Sequence, residues 1–76
     1  MKKFDRIASD VAVMNGQPVI KGTRITVKRV VEAVALYLDR DELFREYPEL
    51  QAQDVRQALE YAASSVGEEI PIMEAA

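Results

Sequence analysis

The chain has 76 residues, with neither cysteine nor histidine, a hydrophobic fraction of 49% and a formal net charge of −3. These values exclude disulfides, zinc sites built from cysteine and histidine, and a disordered chain, and no apolar run approaches the roughly 20 residues of a membrane span. Because the chain is small and the first residues lack the apolar stretch of a signal peptide, we expect one domain located in the cytoplasm. Chains this small often gain stability by pairing, so we also expect a homodimer or a higher homo-oligomer.

The first third of the chain predicts a small β unit. Residues 6–9 and 18–21 are candidates for short strands. Asn15 and Gly16 between them are a strong tight-turn signal, because both residue types tolerate a positive φ. Gly22 and Thr23 form the next predicted turn. A two-stranded unit of this size is marginal alone and needs a helix or a second chain to cover it.

The remainder predicts three helices, over residues 27–38, 39–47 and 52–65. Thr26 is the candidate N-cap of the first helix and Asp39 of the second, while Pro48 ends the second. The fold class is therefore mainly α, with a small N-terminal β unit followed by a three-helix, homeodomain-like helix-turn-helix bundle over residues 1–66. Residues 67–76 form a short acidic C-terminal tail. The predicted buried stripes of the first and third helices are Val27, Val30, Val31, Val34 and Leu38, and Val55, Ala58, Leu59, Ala62 and Val66.

If the second and third helices form a helix-turn-helix, the third is the recognition helix. Its predicted outward side chains include Gln53, Arg56 and Gln57, which are residue types that read bases in the major groove. Asp54 and Glu60 are predicted on the same side and would repel phosphate. The alternative is a core-packing helix with a solvated acidic face.

A basic group at the start of the first helix is the better phosphate candidate, and it consists of Lys21, Arg24, Lys28 and Arg29. The free N–H groups of a helix start also favour an anion. Residues 1–30 contain seven basic and two acidic side chains, whereas residues 31–76 contain three basic and eleven acidic ones. This split indicates two surfaces with different partners, or simply two solvated surfaces. For Arg24 the alternative is a buried structural arginine paired with Glu32 or Asp54.

Two apolar features are candidates for binding a partner protein. Ala33, Leu36 and Tyr37 lie off the stripe of the first helix and form either a subunit interface or part of a wider buried face. The tail combines acidic and apolar side chains. Its candidate partner-binding residues are Glu68, Glu69, Ile70, Ile72 and Met73.

The composition predicts a protein that is not an enzyme and that has no cofactor or metal. General acid–base catalysis commonly uses histidine, and the chain also lacks a cysteine nucleophile and a phosphate-binding glycine-rich loop. Acidic residues cluster between residues 39 and 49, as in metal-dependent nucleases. They are predicted on an exposed, capped helix, where a solvated face is the commoner explanation.

Residues 16–27, Gly-Gln-Pro-Val-Ile-Lys-Gly-Thr-Arg-Ile-Thr-Val, resemble the signature of the family called domain of unknown function 433, roughly G-K-P-V-I-x-G-T-R-I-x-V. Residues 43–50 and 54–62 resemble the second half of that family, so the likeness spans about residues 5–63. The chain departs from the family at two turn or cap positions. Members usually have glycine near the end of the first helix, where this chain has Leu38 and Asp39, and threonine or serine where it has Gln51.

The resemblance implies a small β unit followed by a helix-turn-helix-like bundle. Some members are similar to VapB-type antitoxins encoded beside PIN-like ribonuclease toxins. It therefore implies an antitoxin that binds and neutralises a PIN-like ribonuclease toxin and, as a complex, represses the shared promoter by binding its DNA operator. The acidic, apolar tail is expected to lie across the basic RNA-binding surface of that toxin. Two alternatives stand beside it: a stand-alone dimeric DNA-binding transcriptional regulator, and a homo-oligomeric interaction module without nucleic-acid binding.

Overall fold

The computed structural model describes residues 4–9, 11–12 and 14–66. It confirms the predicted class, a mainly α fold in which a small N-terminal β unit precedes three helices. The described part of the chain contains no helix that is long and apolar enough to cross a membrane. In chain order the elements are β1 (Ile7–Ala8), a single 3-10 turn (Met14–Gly16), β2 (Val19–Ile20), α1 (Val27–Leu36), α2 (Arg40–Glu46) and α3 (Ala52–Val66).

The two strands form an antiparallel pair in which Ile7 faces Ile20 and Ala8 faces Val19. The predicted tight turn lies between them, and Asn15 and Gly16 have φ values of 60° and 82°. Glycine adopts such left-handed backbone without strain and asparagine adopts it at little cost, which explains why these residue types occur here. The strand pair is covered by α3, which contacts β1.

Helix α1 begins where the sequence predicts and ends two residues earlier. The Thr26 hydroxyl accepts a hydrogen bond from the Arg29 N–H at 3.0 Å, as an N-cap does. The backbone leaves helical geometry at Tyr37, whose ring packs edge-on against Tyr47 with centroids 6.5 Å apart. Because the helix has ended, its periodicity no longer carries Leu38 to the buried side. The prediction that Leu38 belongs to the buried stripe is therefore wrong, and its side chain is 87% exposed.

The caps of the other two helices come from carboxylates. Asp39 accepts a hydrogen bond from the Asp41 N–H at 2.9 Å, which confirms it as the cap of α2. At the start of α3, Asp54 accepts from the Gln51 N–H at 2.9 Å. The last residue of α3, Val66, is 59% exposed rather than buried as predicted, because no described element covers the final turn.

The core lies where β2 and the three helices meet, and α1 packs mainly along α3. Ala33 is 3% exposed and belongs to this core. The buried face of α1 is thus wider than the single stripe, which is the second of the two readings left open for Ala33, and Ala33 is not available as a partner-binding residue. Burial of each large core side chain contributes about 1.5–3 kcal/mol. The buried cluster consists of Ile20, Val27, Val30, Ala33, Leu43, Leu50, Val55 and Ala58.

Candidate nucleic-acid interface

The loop between β2 and α1 presents Arg24 to solvent. Gly22, with φ of 83°, turns the chain, and the Ile20 N–H donates to the Ile25 carbonyl at 2.9 Å to close the loop. Inside it, the Thr23 hydroxyl donates to the Ile20 carbonyl at 2.9 Å and accepts from the Ile25 N–H at 3.0 Å. These bonds fix the backbone on both sides of Arg24, whose side chain is exposed.

Arg24 and Arg29 line one cleft of about 210 Å³, together with Ile25, Thr26 and Tyr47. One arginine comes from the loop and the other from the first turn of α1. That helix end carries a partial positive charge from the aligned peptide dipoles. The first turns of α2 and α3, by contrast, carry acidic residues. The cleft therefore combines two guanidinium groups with a helix start of the same sign.

The charge of Arg29 is only loosely neutralised within the chain. The Tyr47 hydroxyl beside it is the main cause of the raised pKa of Arg29, and the Glu32 carboxylate adds to it. The Arg29 Nε lies 4.0 Å from the Glu32 Oε1, and both side chains are about 60% exposed. Ion pairs this open to water are weak. Arg29 thus remains a cation that a stronger anionic partner can bind.

The two lysines of the basic group lie elsewhere. Lys28 is exposed and lines a different groove between α1 and α3. Lys21 is exposed in the loop, where its charge is a minor cause of the lowered pKa of Asp5. None of the ion pairs within the described residues includes Lys21, Arg24 or Lys28. Of the four predicted residues, the structure brings together Arg24 and Arg29.

The predicted reading face of α3 is only partly available. Gln53 and Arg56 are exposed, and Arg56 Nε lies 3.4 Å from Glu60 Oε2. Gln57 instead holds the N-terminal segment: its Oε1 accepts from the Arg6 N–H at 2.9 Å and its Nε2 donates to Asp5 Oδ1 at 2.7 Å. That hydrogen bond is the main cause of the lowered pKa of Asp5.

Asp54 was expected to face outward and is fully buried, so that expectation is wrong. Its Oδ1 accepts from Arg6 Nε at 2.6 Å, while its Oδ2 caps the helix at Gln51. The structural arginine is thus Arg6, and Arg24, the sequence-based candidate, is exposed. The hydrogen bond to Asp54, followed by the Asp54 charge, raises the pKa of Arg6. The sequence signal that could have indicated this buried ion pair is the acidic residue in the first turn of α3. A carboxylate at that position caps the helix and, when it is buried, needs a cation beside it.

The predicted partner-binding patch on α1 is not one surface. Ala33 is buried, Tyr37 is half-buried against Tyr47, and Leu36 is 71% exposed. The exposed apolar pair at this end of α1 is Leu36 and Leu38. The tail candidates lie outside the described residues, and they are Glu68, Glu69, Ile70, Ile72 and Met73.

A family model described as "Protein of unknown function (DUF433)" matches residues 7–62. The chain belongs to the DUF433 family. The matched range contains both strands, α1, α2 and most of α3, and with them the cleft of Arg24 and Arg29. Comparison with curated proteins and with solved structures yields no match. The DUF433 description names no activity.

Proposed function

We propose that this DUF433 protein is an antitoxin-like regulator of the cytoplasm that binds and neutralises a PIN-like ribonuclease toxin and, in complex with it, binds the DNA of their shared promoter. The observation that carries the DNA-binding half is the convergence of Arg24 and Arg29 on one exposed cleft. The toxin-binding half is supported by the likeness of residues 16–27 to the family signature and by the exposed apolar pair Leu36 and Leu38.

The chemistry of the cleft suits a phosphate of the DNA backbone. Guanidinium groups bind phosphate oxygens through two parallel hydrogen bonds, so a pair of them fixes both the position and the orientation of the strand. Tyr47 adds a hydroxyl on the same cleft. Contacts of this kind position a protein on DNA without reading its sequence. The residues proposed to contact the bases are Gln53 and Arg56, which are exposed on α3.

The DNA-binding half is tested with the double variant R24Q/R29Q, measured by fluorescence anisotropy on promoter DNA at several salt concentrations. We expect weaker binding and a salt slope that is smaller by about 1–2, because each lost phosphate contact removes roughly 0.9 from the slope. The matched control is R40Q/R45Q, which removes the same charge from two exposed arginines of α2. If both double variants bind with the same affinity and slope, the cleft is not the phosphate site.

The exposed pair Leu36 and Leu38 also favours a second candidate, a stand-alone regulator that dimerises through this end of α1. Contiguous exposed apolar surface commonly marks a protein contact. This candidate predicts tight, salt-dependent DNA binding by the chain alone, together with a dimer in sedimentation equilibrium. The third candidate, an interaction module without nucleic-acid binding, predicts no DNA binding even when the partner is present.

A further inference from the structure

The polar side chains that line the cleft of Arg24 and Arg29 can all donate hydrogen bonds. Besides the two guanidinium groups, they are the hydroxyls of Thr26 and Tyr47. No carboxylate of the described residues lines this cleft. Guanidinium and hydroxyl groups supply the donors that a phosphate oxygen accepts from, so the lining matches an oxyanion.

The backbone N–H groups at the start of α1 are largely in use within the chain. The Val27 N–H donates to the Pro18 carbonyl at 2.9 Å, and the Arg29 N–H donates to the Thr26 hydroxyl at 3.0 Å. A ligand at this helix end therefore finds few of the free N–H groups that usually bind an anion there. The hydrogen bonds to an anion in the cleft have to come mainly from side chains.

We propose that the Tyr47 hydroxyl is a third donor to the phosphate bound by Arg24 and Arg29. The proposal rests on the part of the proposed function that assigns phosphate to this cleft. The first support is position, because Tyr47 lines the cleft with both arginines although it comes from the end of α2. Its N–H donates to the Leu43 carbonyl at 2.9 Å and its carbonyl accepts from the Leu50 N–H at 3.0 Å, which fixes its backbone.

The second support is the packing of the Tyr47 ring. The ring is half-buried, and the Tyr37 ring packs against it edge-on, with centroids 6.5 Å apart and an angle of 74° between the planes. This contact restrains the tyrosine, so its hydroxyl already lies at the cleft before a ligand binds. A donor that is held in place loses little conformational entropy on binding.

The third support is the chemistry of the hydroxyl itself. The Tyr47 hydroxyl lies beside the Arg29 guanidinium, where it raises the pKa of that group. A guanidinium has five donors and no acceptor, so the hydroxyl can meet it only with a lone pair of its oxygen. The proton of the hydroxyl is then left to donate elsewhere. Within the described part of the chain no acceptor receives it, and a phosphate oxygen in the cleft can accept it.

The test compares wild type with Y47F and with the matched control Y37F. Y47F removes the hydroxyl in the cleft, whereas Y37F removes the hydroxyl of its ring partner, which does not line the cleft. The probe is inorganic phosphate, titrated into the full chain against chloride at equal ionic strength and followed by the NMR signals of the Arg24 and Arg29 Nε–H groups. We expect phosphate to shift both signals in wild type and in Y37F with the same affinity. Y47F should bind about ten-fold more weakly, as for the loss of one hydrogen bond to a charged group.

Binding to promoter DNA gives a second readout. Because Y47F removes no charge, its affinity should fall about ten-fold while its salt slope stays that of wild type, in contrast to the smaller slope expected for R24Q/R29Q. A smaller slope for Y47F would mean that the tyrosine acts only by placing Arg29, and it would overturn the direct contact.

The proposal is also overturned if phosphate shifts neither arginine signal in wild type, if Y47F binds phosphate as wild type does, or if Y47F and Y37F lose the same affinity. Its failure differs from that of the proposed function. If Y47F binds phosphate and DNA like wild type while R24Q/R29Q loses DNA affinity, the third donor fails and the function stands. If Y47F weakens phosphate binding but wild type does not bind promoter DNA, the DNA-binding half of the function fails and the third donor stands.

Discussion

Replacing Asp54 with asparagine tests the buried ion pair that ties the N-terminal segment to α3. Asp54 is fully buried and accepts hydrogen bonds from Arg6 Nε at 2.6 Å and from the Gln51 N–H at 2.9 Å. Asparagine has nearly the same shape but no charge and one acceptor oxygen instead of two. The substitution therefore weakens both bonds without opening a cavity.

The expected loss follows from these two bonds. A hydrogen bond to a charged group contributes about 1.5–3 kcal/mol, and a helix cap contributes about 1 kcal/mol. The Arg6 side chain is 27% exposed, so water replaces part of what it loses. We expect D54N to lower the free energy of unfolding by about 2–3 kcal/mol. A chain of this length has a total stability of about 4–11 kcal/mol, so the loss is a large fraction of it.

The assay is urea unfolding followed by circular dichroism at the helical band. The matched control is E60Q, which makes the same change on the same helix in the exposed pair with Arg56 and should cost less than about 0.5 kcal/mol. In the double variant R6M/D54N the losses should be less than additive, because the two groups interact directly. If D54N unfolds at the same urea concentration as E60Q, the buried pair does not stabilise the fold.

Three further substitutions address local features. Gly22→Ala should destabilise by about 1 kcal/mol from its φ of 83° alone, because, apart from the two neighbouring residues, the described chain has no atom within 4 Å of the added methyl group. Gly22→Asn should cost less, and equal losses would contradict the backbone explanation. Thr26→Ala should lose about 1 kcal/mol of cap stabilisation in urea unfolding, while Thr26→Ser should retain most of it. The hydrogen bond from Gln57 lowers the pKa of Asp5 in the folded state. The ionised Asp5 carboxylate therefore stabilises the fold above its ordinary pKa of about 4, and this contribution is lost as the pH falls through the lower pKa of the folded state. Unfolding across this range should show Asp5→Ala less stable than wild type at neutral pH and equal to it in acid; a difference that does not change with pH would contradict this.

Features that depend on neighbours in the sequence were predictable. The caps at Thr26 and Asp39 and the turn at Asn15 and Gly16 each follow from the chemistry of a few consecutive residues. The three helices follow from apolar spacing, and the arginines of the cleft lie only five positions apart along the chain. Local signals were thus sufficient to predict the order of the elements and the two arginines of the cleft, Arg24 and Arg29.

Features that depend on packing between residues far apart in the sequence were not predictable. Arg6 and Asp54 are separated by 48 positions, and the sequence contains several cations that could equally have paired with that carboxylate. Tyr47 joins the cleft from the end of α2, and no spacing rule relates it to Arg29. Leu38 was misplaced because α1 ends at Leu36, which a continuous apolar pattern conceals.

The most direct test of the proposed antitoxin role is co-expression of this protein with the product of its neighbouring gene, measuring co-purification and growth. We expect that expression of the neighbour alone arrests growth, that co-expression restores it, and that the two chains purify as a stable complex. Growth arrest that persists on co-expression, with no complex recovered, would contradict the antitoxin role and leave DNA binding by the chain alone as the function to examine.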